Sequence, residues 1–353
     1  MDQYPITKVA AVQAAPVFLN RDATINKVEY LFKEAVGNGA QLVVFPESFV
    51  PCFPLWCLVL PPIDQHKYFE QLFKNALLDN SPAYQRLSSI AKKYHAYLSI
   101  GATEKSINSM GAMWNTNYIF APDGSLLGKH RKIVPTWAEK LVHTPGDGST
   151  LKVYDTEIGR LGMLICGENT NTLARYSMLA QGEQIHISTY PPCWPTMRTS
   201  PIAGGYNIKD VIHVRAASHA FEGKVYNIAS SGVLDDDAIL QVSDGNSELE
   251  SFLRNAAQPA TMIVGPDGEY VTEPIVGEEG IIYADLDINK EIALKGVHDI
   301  VGSYQRFDIF KVDINQTPLS AAYFYNKEHL FTKDTPDIIS DADTMSTEQC
   351  DPK

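Results

Sequence analysis

The spacing of hydrophobic positions at the start of the chain predicts two strands with a helix between them. Residues 8–15 (KVAAVQAA) and 41–45 (QLVVF) are short and mostly apolar, as in the strands of a buried sheet. Residues 22–36, which lie between them, carry apolar side chains at helical spacing, namely Ile25, Val28, Leu31, Phe32 and Ala35. Strand, helix and strand in this order predict a βαβ unit of an α/β fold.

The remaining patterns continue this alternation of helices and strands. We predict helices over residues 65–78, 82–95, 172–180 and 208–221, and strands over residues 97–102, 161–165, 184–190, 225–230 and 281–286. Pro-Asp-Gly tripeptides at 122–124 and 266–268 each separate two short apolar segments and predict hairpin turns. The repeated tripeptide hints at two halves of similar build, stacked sheet on sheet. The acidic run 235–237 opens a polar stretch that we interpret as a surface loop.

The apolar run that ends at Ile165 is followed directly by Cys166 and then by Gly167. A thiol at the end of a buried strand sits on a fixed backbone, while the N–H groups of the next turn can face a substrate. Cys166 is therefore a candidate nucleophile. The local sequence supports a buried structural cysteine equally well, because thiols are often buried at strand ends.

Three charged residues elsewhere in the chain could assist such a thiol. Glu47 follows the strand predicted over residues 41–45, where α/β sheets place functional groups, although a carboxylate there can also cap a turn. Lys132 ends a basic triplet that could simply be a solvated edge, and Glu139 follows it within a few residues. A carboxylate can take the proton of a thiol, and a nearby ammonium favours the thiolate. Together with Cys166, these residue types indicate catalysis by cysteine.

Composition and charge narrow the classes of protein to which the chain can belong. Its 353 residues are 44% hydrophobic and 20% charged, which allows a sizeable core in one large domain or two. The net charge of −13 argues against nucleic acid or an anionic membrane as partner. The N-terminus lacks a basic and apolar signal segment, and no apolar run is long enough to cross a bilayer. We expect a soluble, cytoplasmic protein.

The cysteines point to a reducing compartment and away from a metal site. There are 5 of them, which is an odd and sparse set for a disulfide framework. Cys52 and Cys57 have no second pair of Cys or His residues close by in the sequence, as a structural zinc site would require. We therefore predict no metal.

Four blocks of sequence occur in order along the chain, and three of them contain these candidate residues. They are Pro46-Glu47; His130-Arg131-Lys132 with Pro135, Thr136 and Glu139; residues 146–149 (GDGS); and Cys166-Gly167-Glu168-Asn169. The chain resembles the nitrilase superfamily in these blocks, within its nitrilase branch, and the resemblance extends from the first strand to Asn315. It implies an α/β fold of the four-layer αββα sandwich type, formed by a single domain over residues 1–331. The acidic residues 332–353 are expected to be a disordered tail.

The resemblance also implies roles for the candidate residues. Cys166 would be the nucleophile, Glu47 the general base, Lys132 the electrostatic stabiliser and proton donor, and Glu139 a second carboxylate that holds Lys132. The expected reaction converts an organic nitrile and water to a carboxylic acid and ammonia through a thioimidate and a thioester on Cys166, without a cofactor. An amidase of the same superfamily, or a nitrilase that releases much amide, is the alternative within the enzymes. A catalytically silent binding protein on the same scaffold is the alternative outside them.

The expected pocket and assembly depend on less specific features. Trp56, Gly167, Tyr190 and Trp194 are the candidate substrate-binding residues, and the apolar loops around the tryptophans favour a nitrile larger than cyanide. Many nitrilases have Trp where this chain has Gly167, which would change the space beside the thiol. The usual Gly-His-Tyr of the late block is Gly-Ser-Tyr at residues 302–304. By resemblance we expect a homo-oligomer, either a dimer or a larger spiral.

Overall fold

The structure, a computed structural model, describes residues 4–194 and 207–322. The chain up to Thr317 forms one compact unit. Residues 318–322 belong to a second unit and contain neither helix nor strand. The domain boundary predicted at residue 331 and the tail predicted over residues 332–353 lie outside the described residues and stay predictions.

Two six-stranded sheets organise the compact unit. Sheet 1 has the strand order β12 (Gly280–Asp287), β1 (Ile6–Gln13), β2 (Leu42–Val44), β3 (Tyr97–Lys105), β4 (Met113–Phe120) and β5 (Leu126–Arg131). Sheet 2 has the order β6 (Tyr154–Thr156), β7 (Gly159–Ile165), β8 (Ile185–Tyr190), β9 (Tyr226–Ser231), β10 (Ala260–Val264) and β11 (Ile275–Val276). In these orders the pairings in both sheets run antiparallel, parallel, parallel, antiparallel, antiparallel. The predicted similarity of two stacked halves is thus present in the strand pairing.

Helices cover the outer faces of both sheets. The helices of the described residues are α1 (Arg21–Gly37), α2 (Trp56–Val59), α3 (His66–Asn75), α4 (Pro82–Tyr94), α5 (Thr172–Ala180), α6 (Ile208–Gly223), α7 (Asp236–Ser243), α8 (Ser247–Arg254) and α9 (Asn289–Val297). The apolar faces of α1 and α4 pack on sheet 1, and those of α5 and α6 pack on sheet 2. A further apolar layer, with Val9, Leu42, Met163 and Ile187 among its members, fills the space between the sheets. The predicted αββα sandwich is confirmed.

The predicted elements agree with the structure except in the apolar loop predicted around Trp56, where α2 begins, and in the polar region after β9. All the predicted helices are present, with ends shifted by at most a few residues. The surface loop predicted at residues 235–237 is wrong, because Asp235 caps the N-terminus of α7 by accepting a hydrogen bond from the Ala238 N–H at 3.0 Å. Acidic residues suit the first turn of a helix, which explains the error. Among the described residues, no helix has the length and apolarity needed to span a membrane.

Candidate active site

The four predicted catalytic residues lie just after strand ends or in the turn that follows one. Glu47 comes shortly after β2, Lys132 directly after β5 and Cys166 directly after β7, while Glu139 lies in a 3-10 helix over Trp137–Leu141. All four side chains are buried, with Cys166 the most accessible at 7% exposure. Sheet 1 therefore supplies the charged groups, and sheet 2 supplies the thiol.

Lys132 lies between the two carboxylates. Its Nζ is 2.9 Å from Glu47 Oε1 and 2.6 Å from Glu139 Oε2, and none of the three side chains reaches solvent. Burial alone would favour a neutral amine, but the two carboxylates outweigh it and raise the pKa of Lys132 well above its usual value. A permanent positive charge is thus held at the bottom of the site.

The two carboxylates have different surroundings. Glu139 also accepts hydrogen bonds from the Thr136 N–H at 2.9 Å and the His143 ring at 3.0 Å. Burial opposes ionisation of Glu139, but Lys132 and His143 outweigh it and lower its pKa. At Glu47 burial prevails over Lys132, and its pKa is raised. Glu47 Oε2 has no hydrogen-bond partner among the described residues. Glu47 is therefore the carboxylate that can exchange a proton, while Glu139 stays ionised.

Glu47, Lys132 and Glu139 form a charged cluster, which Asn115 and His143 complete. Neither of these two residues was predicted from the sequence. Asn115 Nδ2 lies 2.7 Å from Glu47 Oε1 and 2.7 Å from Glu139 Oε1, so one amide group bridges the two carboxylates. Asn115 occurs within strand β4, where it is one of several buried polar residues and no motif marks it. His143 lies one helical turn after Glu139, and that spacing is the signal that could have identified it.

The nucleophile candidate has an unusual backbone conformation. Cys166 has φ of 50°, in the left-handed region, where a side chain costs about 1–2 kcal/mol. Such strain persists only where the surrounding structure enforces it, and it is common at functional sites. Burial and the Glu47 charge raise the pKa of the Cys166 thiol to about 12, although Lys132 opposes the rise. The resting thiol is therefore protonated, and its activation requires a base.

Glu168 ties the two halves of the site together. Its carboxylate accepts hydrogen bonds from the Ile165 N–H at 2.8 Å and the Ile133 N–H at 2.5 Å, and it lies 2.9 Å from His130 Nε2. One side chain thus holds the residue before Cys166 and the residue after Lys132. Burial opposes ionisation of Glu168, but these partners prevail and lower its pKa. This role of Glu168 was not predicted from the sequence.

The structure places two of the predicted substrate-binding residues with Cys166 and a third in a different apolar cluster. Tyr190 belongs to the same apolar cluster as Cys166, and Trp194 packs against that cluster. Trp56 is fully buried in another cluster, where it stacks on Tyr68 with ring centroids 5.2 Å apart. Trp56 thus packs within that cluster, and its contact with a substrate stays a prediction.

Gly167 borders a cleft of about 390 Å³ that the sequence analysis did not anticipate. Thr136, Trp137, Lys140 and Arg215 also line this cleft. A Cβ atom at Gly167 would lie 2.9 Å from Thr136 Oγ1, so the glycine keeps the cleft open at the residue that follows Cys166. The cleft is a candidate route for substrate.

A second group of buried residues has the side chains of a metal site. The ligand atoms of Glu183, His186 and His219 lie close together. However, His186 Nδ1 and His219 Nε2 are each 2.6 Å from an oxygen of Glu183. Ligands of a tetrahedral zinc ion are roughly 3.3 Å apart, so the separations here fit shared protons and not an ion between the ligands.

Comparison with known proteins assigns the chain to a family. Residues 8–295 match the carbon-nitrogen hydrolase family, and the chain belongs to it. A nitrilase of Paraburkholderia phymatum is 34% identical over 318 residues, which are 90% of this chain and 89% of that protein. An aliphatic nitrilase of Rhodococcus rhodochrous is 32% identical over 321 residues, which are 89% of this chain and 85% of that protein. The resemblance to the nitrilase superfamily is confirmed.

Solved structures share the fold at low sequence identity. A carbon-nitrogen hydrolase from Helicobacter pylori G27 has a TM-score of 0.65 at 21% identity, covering 86% of this chain and 97% of that one. An amidase from Nesterenkonia sp. has a TM-score of 0.61 at 16% identity, covering 86% of this chain and 94% of that one. At such identities the similarity concerns the fold alone.

Proposed function

We propose that the protein hydrolyses an organic nitrile to a carboxylic acid and ammonia, with Cys166 as nucleophile. One observation carries the proposal: the ionised Lys132 and the carboxylate of Glu47 lie beside the buried thiol of Cys166. One oxygen of Glu47 has no hydrogen-bond partner among the described residues. A nitrile carbon is a weak electrophile and needs a thiolate, so a base and a cation beside the thiol suit this substrate. The nitrilases at more than 30% identity support the choice of nitriles.

The first half of the reaction forms a thioimidate. Glu47 takes the proton of Cys166, and the sulfur forms a bond to the nitrile carbon. One π pair of the C≡N bond moves to nitrogen, where Lys132 stabilises the developing negative charge. The nitrogen then receives the proton from Glu47. The product is a neutral thioimidate, and Glu47 is again a carboxylate.

The second half consumes two water molecules. The first adds to the thioimidate carbon, and its two protons pass to the nitrogen. The C–N bond then breaks, ammonia leaves, and a thioester remains. Glu47 then removes a proton from the second water, which attacks the thioester. The C–S bond breaks, the acid is released, and the thiol of Cys166 is restored.

Amide formation is the competing outcome. If the tetrahedral intermediate that follows the first water breaks its C–S bond and not its C–N bond, the enzyme releases an amide without ammonia. An amidase would begin with the amide and form the same thioester. The fold shared with an amidase keeps this alternative open to experiment.

The apolar surroundings favour larger nitriles. Tyr190 belongs to the apolar cluster that contains Cys166, and Trp194 packs against both that cluster and Phe53, with Trp194 and Phe53 ring centroids 6.4 Å apart. We propose aromatic or arylaliphatic nitriles as substrates in preference to cyanide. The family resemblance further supports a homo-oligomer in the cytoplasm, and sedimentation of the full chain would test the oligomer.

Product-resolved turnover tests the proposal. Aliphatic, aromatic and arylacetic nitriles are incubated with the enzyme beside their matching amides, and acid, amide and ammonia are quantified. We expect acid and ammonia in equal amounts from nitriles, inert amides, and loss of all turnover in Cys166→Ala. Turnover of amides alone would identify an amidase, and an active Cys166→Ala variant would exclude the nucleophile.

A further inference from the structure

A chain of buried polar side chains lies behind Cys166, and the reaction steps above do not use it. Glu183 contacts His186 Nδ1 and His219 Nε2, each at 2.6 Å. His186 Nε2 in turn lies 2.8 Å from Asn169 Oδ1. Asn169 Nδ2 donates to the carbonyl of Cys166 at 3.1 Å and to that of Leu164 at 3.2 Å. We call Glu183, His186, His219 and Asn169 the Glu183 relay.

The hydrogen bonds fix the direction of every link in the Glu183 relay. The amide nitrogen of Asn169 faces two carbonyl oxygens, so its own oxygen must face His186. His186 therefore has an oxygen acceptor at each ring nitrogen, Asn169 on one side and Glu183 on the other. The ring must donate from both nitrogens, which makes it an imidazolium paired with the Glu183 carboxylate.

The surroundings of Glu183 are built for a buried carboxylate. Burial opposes its ionisation, but His186 and His219 outweigh this and lower the pKa of Glu183 to about 2. Burial and the neighbouring His186 lower the pKa of His219 to about 4, so His219 is neutral and donates through Nε2. Gly162 in the adjacent strand makes room for the carboxylate, because a Cβ there would lie 1.9 Å from Glu183 Oε1.

Asn169, the last member of the Glu183 relay, orients the peptide bond between Cys166 and Gly167. The peptide bond is planar and trans, so a fixed Cys166 carbonyl also fixes the opposite direction of the Gly167 N–H. Gly167 lies in the first turn of the 3-10 helix Cys166–Thr170, where N–H groups have no acceptor within the turn. Such an N–H group can donate to negative charge on a substrate.

We propose that the Glu183 relay aims the Gly167 N–H at the substrate atom that gains negative charge, by holding the Cys166 carbonyl. Its members are positioning residues, since none needs to touch the substrate. The inference rests on Cys166 as nucleophile and adds a reason for its left-handed backbone. The ion pair at the far end of the relay orients Asn169, and Asn169 orients the peptide.

The most direct test changes only the last link. Asn169→Asp keeps an oxygen acceptor for His186 but replaces the amide that donates to the two carbonyls. We expect kcat for the preferred nitrile to fall by about 10²-fold, the size of effect seen when one donor to an oxyanion is lost, with KM within about 3-fold. A kcat within about 3-fold of wild type would overturn the proposal.

A pair of variants at the far end of the Glu183 relay separates positioning from packing. His219→Gln retains an N–H that can reach Glu183 and should keep kcat within about 3-fold of the wild-type value. His219→Leu fills similar space without a donor and should lower kcat by about 10-fold at unchanged KM. Equal kcat values in the two variants would contradict the relay. These variants keep the test valid if Asn169→Asp does not fold.

Two controls distinguish failure of the relay from failure of the proposed function. Ile187→Ala destabilises the same strand from its opposite face, in the layer between the sheets, and should lower the melting temperature while kcat stays within about 3-fold. Cys166→Ala should be inactive. If Cys166→Ala is inactive and Asn169→Asp retains kcat as Ile187→Ala does, the relay is rejected while the proposed function stands. An active Cys166→Ala variant would reject both the relay and the proposed function.

Proton NMR of the full chain in water gives a readout that is independent of turnover. His186 should contribute two slowly exchanging ring N–H signals, identified by their loss in His186→Gln. Asn169→Asp should retain both, because the acceptors of His186 remain. A single His186 N–H signal in the wild type would contradict the donor directions on which the relay depends.

Discussion

In sheet 1 and sheet 2 the strands pair in the same order of antiparallel and parallel neighbours, yet the residues that follow equivalent strands differ. β1 and β7 are equivalent, and they are followed by Ala14 and Cys166 respectively. β2 and β8 are equivalent, and the third residue after each is Glu47 in sheet 1 and Cys193 in sheet 2. The scaffold repeats, while the chemistry of each half depends on single residues after the strands.

The two halves also stabilise their functional groups differently. The charged cluster of sheet 1 is held by side chains that contact one another directly, with Asn115 and Lys132 between the two carboxylates. In sheet 2 Cys166 is held through backbone groups, by Asn169 at its own carbonyl and by Glu168 at the N–H of Ile165. Removal of a group should therefore disturb charge in the first half and geometry in the second.

The largest expected effect of breaking this arrangement comes from Lys132→Met. Two buried carboxylates would lose their shared cation, which should lower kcat by about 10²–10³-fold and the free energy of unfolding by about 3–5 kcal/mol. Lys129→Met is the matched control, because Lys129 also lies between two carboxylates, at 2.5 Å from Asp79 and 2.7 Å from Glu104. Turnover and urea unfolding measure both effects; an equal loss of kcat in the control would refute a specific role for Lys132.

A smaller effect is expected from the pH dependence of turnover. The pKa of Glu47 is raised to about 7 by burial, and only its ionised form can act as base, so kcat/KM should fall as the pH drops through this value. The Asn115 hydrogen bond lowers the pKa of Glu47. Asn115→Leu should therefore move the acid limb to higher pH, and it should also reduce kcat/KM at neutral pH by about 10-fold.

The matched control for this shift lies two residues along the same strand. Asn117 is buried and accepts a hydrogen bond from Ser99 at 3.3 Å, and the described contacts do not link it to Glu47. Asn117→Leu should leave the acid limb where it is. A wild-type acid limb at the ordinary carboxyl pKa, or equal shifts in both variants, would show that Glu47 is not the titrating base.

The part of this site that sequence could predict is the part that follows strand ends. Glu47, Lys132 and Cys166 come after apolar runs whose period reveals the strands, and a family resemblance links the three across distant segments. Asn115 is inside a strand, where a buried asparagine has no local signature. Its role depends on the lateral pairing of β4 and β5, which brings it beside Lys132 and which no short segment encodes.

The Glu183 relay could not be predicted from the sequence for the same reason. His186 makes two close polar contacts, with Glu183 at 2.6 Å and with Asn169 at 2.8 Å. The connection of His186 to Cys166 depends on Asn169, which lies in the 3-10 helix directly after β7. The relay also includes His219, which belongs to α6. Such contacts between residues distant in sequence arise only when the strands have paired.

An effect of similar size, but one that depends on the bulk of the substrate, concerns Gly167, where the two halves meet. Gly167→Ala brings a Cβ atom within 2.9 Å of Thr136 Oγ1, so Thr136 must shift and the cleft beside Cys166 must narrow. We expect kcat/KM to fall by roughly 10-fold for arylaliphatic nitriles and by less for small aliphatic ones, because one methyl group in a tight pocket has a modest effect. Gly37→Ala is the control, since a Cβ there meets nothing within 4 Å. Equal losses for large and small nitriles would mean that the methyl group acts by displacing Thr136, which caps the helix of Glu139, and not by narrowing the cleft.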